Sequence, residues 1–174
     1  MTWGNIVNLE NLEFEPDTSV GPNYQYALAP AALSSKMGAK KLGWNVSVIA
    51  GRQFSCPYHF HLLEEELFLV LEGKAILRQA GQYREVAKGD LIFFAASPKG
   101  VHQFYNHTDQ PFKTLALSNL EPFDICEYPD SSKINVRKLK KIYQAGSEVT
   151  YLKDEENPAR YWPDQHLNHE AHSK

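Results

Sequence analysis

Between residues 44 and 120 the chain alternates short apolar runs with turn-forming residues, a pattern that predicts β-strands. The runs are rich in Val, Ile, Leu, Phe and Tyr, and Gly, Asp, Pro or Asn separates them: WNVSVIAG, EELFLVLEGKAILR, QYREVAKGDLIFFAA and HQFYNHTDQPFKTLALSNL. We find no convincing run of helical period among them. Short strands without intervening helices favour an antiparallel sandwich or barrel over an α/β sheet.

The run from Leu67 to Leu71 is apolar at every position, which predicts a strand covered on both faces. A strand with one wet face would alternate apolar with polar residues, but here Phe68 and Val70 stand between leucines. One face should turn to the barrel interior. The other needs residues 1–43 or a second subunit as its cover. We expect the second subunit, and therefore a homodimer.

The two ends of the chain are predicted to be extensions of a single domain. Residues 1–43 hold many turn formers and should wrap the barrel of residues 44–120 as loops with one or two strands. Residues 121–174 form a C-terminal extension and tail. Within it, VRKLKKIYQAG (136–146) fits either a short surface helix or a strand, and its basic residues are expected on a solvated face.

Composition narrows the class of protein. The chain has 174 residues, a formal net charge of -3 and 43% hydrophobic residues, so it can form a core and offers no basic footprint for nucleic acid. Its apolar runs fall far short of the roughly 20 residues that cross a bilayer. The first residues do not resemble a secretory signal, and only two cysteines occur. We therefore expect a cytoplasmic protein with no membrane partner.

Three histidines and a glutamate in this region predict a metal site. His59 and His61 are two residues apart, so on an extended chain both imidazoles leave the same face about 6–7 Å apart. A Glu follows shortly after, and His102 lies on a later strand. Nitrogen and carboxylate ligands without thiolate suit one divalent transition metal ion, namely Zn, Fe, Mn or Ni, with Cu less favoured.

The same residues resemble the two signature motifs of the cupin superfamily. CPYHFHLLEEELFLVLEG matches the first motif, which has two His one residue apart, then Glu and then Gly. GDLIFFAASPKGVHQFYN matches the second, from Gly89 through Gly100 to His102 and Asn106. Only Val101 separates Gly100 from His102, and the interval from Gly89 to Pro98 is long, which we interpret as a two-residue insertion. The resemblance implies an all-β double-stranded β-helix, a small antiparallel jelly-roll barrel.

The family pattern favours Glu66 as the carboxylate ligand. Glu64, Glu65 and Glu66 are adjacent, and strand alternation forbids all three from facing inward. Six residues separate Glu66 from Gly73, as the pattern requires. Glu65 fits the shorter of the two spacings from His61 and stays an alternative.

A site with these four ligands is open and can admit a small-molecule substrate beside metal-bound water. Phe68 and Phe104 are expected to line the substrate pocket, and Glu64 is the candidate acid/base. The resemblance implies a metal-dependent enzyme acting on a small polar metabolite, in the dioxygenase, sugar-type isomerase or decarboxylase class. The alternative is a non-catalytic small-molecule binding or sensing protein.

Overall fold

Antiparallel β-strands dominate the protein. The computed structural model describes residues 6–16, 21–24, 26–28, 33–161 and 163. The strands are β1 (Glu15–Pro16), β2 (Tyr26–Leu28), β3 (Leu42–Ile49), β4 (Phe60–His61), β5 (Glu66–Glu72), β6 (Lys74–Gln79), β7 (Gln82–Ala87), β8 (Leu91–Phe94), β9 (His102–Tyr105), β10 (Phe112–Asn119), β11 (Ile125–Tyr128), β12 (Lys133–Val136) and β13 (Lys141–Gln144). The predicted all-β class is confirmed.

Helices are few and short. The α-helix α1 spans Leu33–Lys36, and 3₁₀ turns span Leu9–Asn11, Pro98–Gly100, Pro129–Ser131, Arg137–Leu139 and Pro158–Tyr161. Within the described ranges, no helix has the length and apolar character that crossing a membrane requires.

The strands form three sheets. The largest has the order β1-β2-β3-β10-β5-β8, the second β13-β12-β11-β4 and the third β7-β6-β9. All strand pairs are antiparallel, and a bridge between His59 and His102 links the second and third sheets. Because neighbouring strands run in opposite directions, residues far apart in sequence meet at one end of the barrel.

The inner faces of the sheets enclose one apolar core. Alternate residues of β5 and β8 point inward, among them Val70, Ile92 and Phe94, and they join buried residues of β6, β9 and β10. Alternation in LIFFAA and LFLVL produces this arrangement, since a strand sends every second side chain to the same face. This core fills the barrel interior on one side of the histidines, next to His102.

The N-terminal extension covers part of the outer face of the largest sheet. Val46 is fully buried there and contacts Leu33, while Leu9, Leu12 and Phe14 pack against the same cluster. The opposite edge of this face stays open, because the β8 residues Leu91 and Phe93 are 66% and 53% exposed. The predicted homodimer stays a prediction.

The C-terminal extension forms strands where the sequence also allowed a helix. Residues 133–144 are a hairpin of β12 and β13 joined by the 3₁₀ turn at Arg137–Leu139. The described residues up to Gln144 form one compact unit, and those from Ala145 onward form another. In the second unit, the Tyr161 hydroxyl donates a hydrogen bond of 2.6 Å to the Asp154 carbonyl.

Gly73 makes the turn between β5 and β6 possible. Its φ of +74° is left-handed, and a Cβ at this position would collide with the carbonyl oxygen of Pro111. Gly81 has a similar φ of +79° but has open space around it. Comparing an alanine substitution at each glycine therefore distinguishes the free-energy cost of backbone strain from that of a steric collision.

We predict that Gly73→Ala destabilises the protein more than Gly81→Ala. The left-handed backbone alone should cost Gly81→Ala about 1–2 kcal/mol, and the collision should cost Gly73→Ala roughly 1–3 kcal/mol more. Urea denaturation of both variants measures the difference in free energy of unfolding. Equal losses would show that the contact with Pro111 does not constrain the turn.

Candidate metal centre

The four predicted ligands come from three places in the barrel. His59 directly precedes β4 and His61 ends it, Glu66 begins β5, and His102 begins β9. His59 and His102 exchange backbone hydrogen bonds of 3.2 and 2.9 Å, so they stand opposite each other with side chains on the same face. Their ring centroids are 4.9 Å apart, and those of His59 and His61 are 5.1 Å apart.

Each histidine uses Nδ1 in a hydrogen bond to an oxygen that can only accept. Nδ1 of His59 donates to the Pro57 carbonyl at 3.0 Å, and that of His102 to the Gly100 carbonyl at 2.9 Å. Nδ1 of His61 donates to the Asp124 carboxylate at 2.6 Å. In a neutral imidazole this leaves Nε2 with a free lone pair, which is the state required of a metal ligand.

The carboxylate of Glu66 faces these lone pairs without a donor of its own. Its Oε2 lies 3.6 Å from Nε2 of His61 and 3.5 Å from Nε2 of His102. This oxygen is buried and has no hydrogen-bond partner. Acceptors gathered in this way repel one another unless a cation lies between them. Each of these two separations is short enough for Glu66 and that histidine to share an ion at about 2.0–2.2 Å from both atoms.

Burial disfavours the charged form of two of the imidazoles, those of His59 and His102. It lowers the pKa of His59, although the Glu66 carboxylate acts in the opposite direction. Burial together with the neighbouring His59 holds the pKa of His102 well below its ordinary value. Burial also raises the pKa of Glu66, and His61 and His59 counter this effect.

Three of the four predicted ligands form one compact group, and the fourth adjoins it. His59, His61 and Glu66 each offer one ligand atom within 4.8 Å of the others. His102 is not in that group, but it shares Oε2 of Glu66 at 3.5 Å. The side chain of Glu65 is exposed, whereas Glu66 points into the barrel, and this arrangement favours Glu66 as the ligand.

Glu64 faces away from the Nε2 atoms. Its Oε2 pairs with Arg137 at 2.6 Å, and its Oε1 accepts a hydrogen bond of 3.1 Å from the Glu121 backbone N–H. It comes only within 4.0 Å of Nδ1 of His61. The acid/base role of Glu64 stays a prediction, and these contacts favour a structural role instead.

The sequence interpretation missed a network behind His61. Asp124 is fully buried and accepts from His61, from the Leu63 and Glu64 backbone N–H groups and from Arg137. Burial opposes its charge, but the hydrogen bonds from His61 and Leu63 outweigh burial and lower its pKa. Arg137 belongs to the basic run that was expected on a solvated face; its side chain is 42% exposed, and its guanidinium reaches both buried carboxylates.

Both cysteines are poor ligands as they stand. Cys126 lies 3.4 Å from Nδ1 of His61, but that nitrogen already bonds Asp124. Burial raises the pKa of Cys126 to about 12 and that of Cys56 to about 11. Protonated thiols bind metals weakly, so the grouping of His61, Asp124 and Cys126 supports the metal centre from behind.

Aromatic rings form the floor of the site. Phe94, which sequence analysis did not single out, stacks on His102 with centroids 3.6 Å apart and planes 6° apart. Phe68 and Phe104 contact it in turn, with centroids 5.5 and 6.1 Å from that of Phe94. Phe104 is only 2% exposed and belongs to the core. A pocket role for Phe68 and Phe104 stays a prediction.

A cavity of about 240 Å³ opens beside Glu66. Its lining is small or polar apart from Trp44 and Leu117: Ser34, Gly43, Trp44, Asn45, Glu66, Ala116, Leu117 and Ser118. A larger groove of about 660 Å³ along β7 and β8 contains none of the predicted site residues. The smaller cavity is therefore the candidate entrance to the metal centre.

We predict that Arg137→Met destabilises the fold, because it leaves the carboxylates of Glu64 and Asp124 buried without their cation. Breaking a buried pair costs about 3–5 kcal/mol. The side chain of Arg137 is 42% exposed, and water screens it, so roughly 2–3 kcal/mol is expected. Urea denaturation measures the loss.

The control is Asp130→Asn, which breaks the Arg78–Asp130 pair of equal length, 2.6 Å, at the surface. It should cost less than about 1 kcal/mol. If the two variants lost equal stability, the buried network would not contribute as described.

Known proteins resemble this chain in sequence and in fold. A family model described as a cupin domain matches residues 45–118. An uncharacterized protein of Methanocaldococcus jannaschii is 35% identical over 60 residues, which are 34% of this chain and 46% of the relative. The matched region thus spans about half the length of that curated relative.

Solved structures share the fold at low identity. A protein of Acidithiobacillus ferrooxidans, described as a candidate sugar phosphate isomerase, superposes with a TM-score of 0.75 and 20% identity, covering 84% of this chain and 96% of its own. A sugar phosphate isomerase of the cupin superfamily from Silicibacter pomeroyi gives 0.69 and 21%, covering 84% and 97%. A predicted oxalate decarboxylase of Thermotoga maritima gives 0.55 and 17%, covering 67% and 99%.

The family match, these structures and the antiparallel sheets confirm the predicted jelly-roll. The family model identifies residues 45–118, somewhat less than half of the chain, as a cupin domain.

Proposed function

We propose that the chain binds one divalent transition metal ion through His59, His61, Glu66 and His102, and that the loaded site acts on a small hydroxyl-bearing metabolite. The observation that carries the proposal is the buried Oε2 of Glu66, which faces imidazole Nε2 atoms and has no donor. A metal ion satisfies all of these acceptors at once, which a single proton cannot do.

When bound, the ion supplies Lewis acidity to substrate oxygens and lowers the pKa of coordinated water. The chain contributes orientation. The bonds from Nδ1 fix each imidazole, and Phe94 holds the ring of His102 by stacking. The aromatic floor excludes water from below, so substrate enters from the side of the cavity.

Isomerisation is the first reaction class to test. Two structural relatives that this chain covers almost fully are described as sugar phosphate isomerases, and a third as a decarboxylase. A shared fold at this sequence identity does not determine the reaction. The descriptions of these relatives therefore only suggest which reactions to assay first. A dioxygenase reaction comes after them.

A non-catalytic binding or sensing protein is the second candidate, and one observation favours it. The carboxylate of Glu64 is held by Arg137 and the Glu121 backbone, so it is not free to move a proton. The two candidates differ in turnover. Mass spectrometry of metabolite mixtures incubated with metal-loaded protein would detect product for an enzyme, and bound but unchanged metabolite for a sensor.

We predict that Glu66→Gln and His102→Ala lose the metal while keeping the fold. Both remove a ligand from the interior, and the free energy of an ion with four protein ligands depends on each. Elemental analysis should find about one metal per chain in the wild type and less than roughly one-tenth in the variants. Far-ultraviolet circular dichroism checks the fold.

The matched control is Glu65→Gln, which changes the exposed neighbour and should keep the metal. Loss of metal in Glu65→Gln with retention in Glu66→Gln would reassign the carboxylate ligand. A wild-type protein purified gently with almost no metal would contradict the metal centre itself.

We predict that Asp124→Asn weakens metal binding about 10–100-fold. The carboxylate accepts from Nδ1 of His61 at 2.6 Å and so holds Nε2 as the ligand atom. An amide can donate to the same nitrogen, and the ring then loses its fixed tautomer. Chelator competition measures the dissociation constant. Asp130→Asn, a surface replacement of the same kind, should leave it unchanged, and equal affinities in both variants would rule out this role for Asp124.

A further inference from the structure

The strand β8 is an exposed, apolar edge of the largest sheet. Its sequence is LIFF, it pairs with β5, and no described strand pairs with its other side. Leu91 and Phe93 point to the outer face and are 66% and 53% exposed. A free edge presents unpaired backbone N–H and C=O groups, and proteins usually protect it with charges, proline or a covering segment. An unprotected apolar edge is therefore expected to have a partner.

Three other edge strands carry the protection that β8 lacks. β1 consists of Glu15 and Pro16, and β13 begins with Lys141. β7 exposes Arg84 and Glu85. β8 contains no charged residue and no proline. Of these four edges, β8 is the one whose sequence does not oppose pairing with another strand.

The backbone of β8 directs hydrogen-bonding groups to its free side. The Val70 N–H donates to the Asp90 carbonyl at 2.9 Å, where β8 meets β5. From there hydrogen-bonded and non-hydrogen-bonded pairs alternate, so Ile92 bonds to β5 and its two neighbours in β8 do not. The N–H and C=O groups of Leu91 and Phe93 therefore point away from β5, toward the open side.

A groove of about 660 Å³ follows this open side between β7 and β8, and we call it the edge groove. Tyr83, Leu91 and Phe93 line it and are 69%, 66% and 53% exposed. At about 200 Å² for a large side chain, these three expose on the order of 350 Å² per chain. A stable interface buries about 800 Å² per partner, of which somewhat more than half is apolar. The three side chains thus supply most of the apolar area that a dimer needs.

The charges along the edge groove favour a second copy of the chain as its partner. Arg84 and Lys99 line the groove together with Asp90, so both signs are present. In an isologous contact the same surface faces itself, and a surface of one sign would be repelled. A surface of mixed sign can meet its own copy, whereas it offers little to a strongly acidic or basic partner.

We propose that β8 pairs antiparallel with β8 of a second copy about a twofold axis. The axis passes beside Ile92, so Leu91 faces the partner's Phe93, and Phe93 faces the partner's Leu91. Each facing pair exchanges two backbone hydrogen bonds, and the two six-stranded sheets become one. Centring the axis on Leu91 or Phe93 instead would set the other of these residues against a residue outside β8. The inference is independent of the metal centre, since none of the proposed ligands lies on β8.

Sedimentation velocity of the full chain tests the assembly. At roughly 100 μM, wild type should sediment as a species of about twice 19.8 kDa. A monomeric wild type would overturn the inference. Leu91→Lys and Phe93→Lys each place a charge on the edge and should raise the dissociation constant roughly hundredfold or more. Since both side chains are already exposed, circular dichroism should show an unchanged fold.

The matched control is Ile142→Lys, which places the same charge on another edge strand. Ile142 lies on β13 and is 60% exposed. This variant should keep the dissociation constant of the wild type. Dissociation of the control to the same extent, or retention of the dimer in Leu91→Lys, would overturn the proposed surface.

Disulfide crosslinking tests the register. In the double variant Leu91→Cys, Phe93→Cys, each new thiol belongs to a facing pair with Cα atoms about 5.5 Å apart, which a disulfide can bridge. In either single variant the two thiols are displaced by two residues along the strands, and Cα atoms roughly 8 Å apart lie beyond that reach. Mild oxidation should therefore crosslink the double variant far more than either single variant.

Two results of the crosslinking would overturn the proposal. One is a single variant that crosslinks as well as the double variant, because the axis would then lie elsewhere. The other is a double variant that sediments as a dimer when reduced but does not crosslink when oxidised. Wild type measures the background from Cys56 and Cys126.

Discussion

A carboxylate buried among imidazole lone pairs is the constraint on which the site depends. The Oε2 atom of Glu66 faces His61 and His102 and accepts no hydrogen bond. Its distances to their Nε2 atoms are too long for hydrogen bonds. Leaving such a group unsatisfied costs several kcal/mol, on the order of 2–7, so a protein keeps the arrangement when a ligand repays it. The Nδ1 bonds of the histidines prevent the rings from turning a donor toward Glu66. A cation between these atoms would satisfy the carboxylate, which is why the proposed function places a metal ion there.

Residues outside the barrel also help to hold the candidate ligands in this orientation. His61 is fixed by Asp124, whose buried charge is balanced by Arg137 from the C-terminal hairpin. The same guanidinium neutralises Glu64. A residue 76 positions beyond His61 therefore contributes to the orientation of a candidate ligand. The extension is part of the site's architecture, although the cupin domain itself ends earlier in the chain.

The sequence predicted what depends on local pattern and motif spacing. Alternation identified the strands, and the spacing from His61 to Gly73 selected Glu66 among three adjacent glutamates. Phe94 was also within reach, since alternation in LIFFAA sends it inward beside Ile92. Asp124 and Arg137 were not, because no local pattern distinguishes a buried carboxylate or a paired arginine from a solvated one. Their partners lie 63 and 73 positions away and meet only after folding.

The two ends of the candidate site differ in chemistry for a simple geometric reason. Strand alternation decides which side chains face inward, and the size of those side chains decides where the interior is filled. Beside His102, large aromatic residues such as Phe94 and Phe104 fill the interior. Toward the strand ends, Gly43, Ala116 and Ser118 do not, and a cavity remains beside Glu66. The same inward face is therefore a packed core at one end and a polar recess at the other, and the carboxylate lies where the two meet.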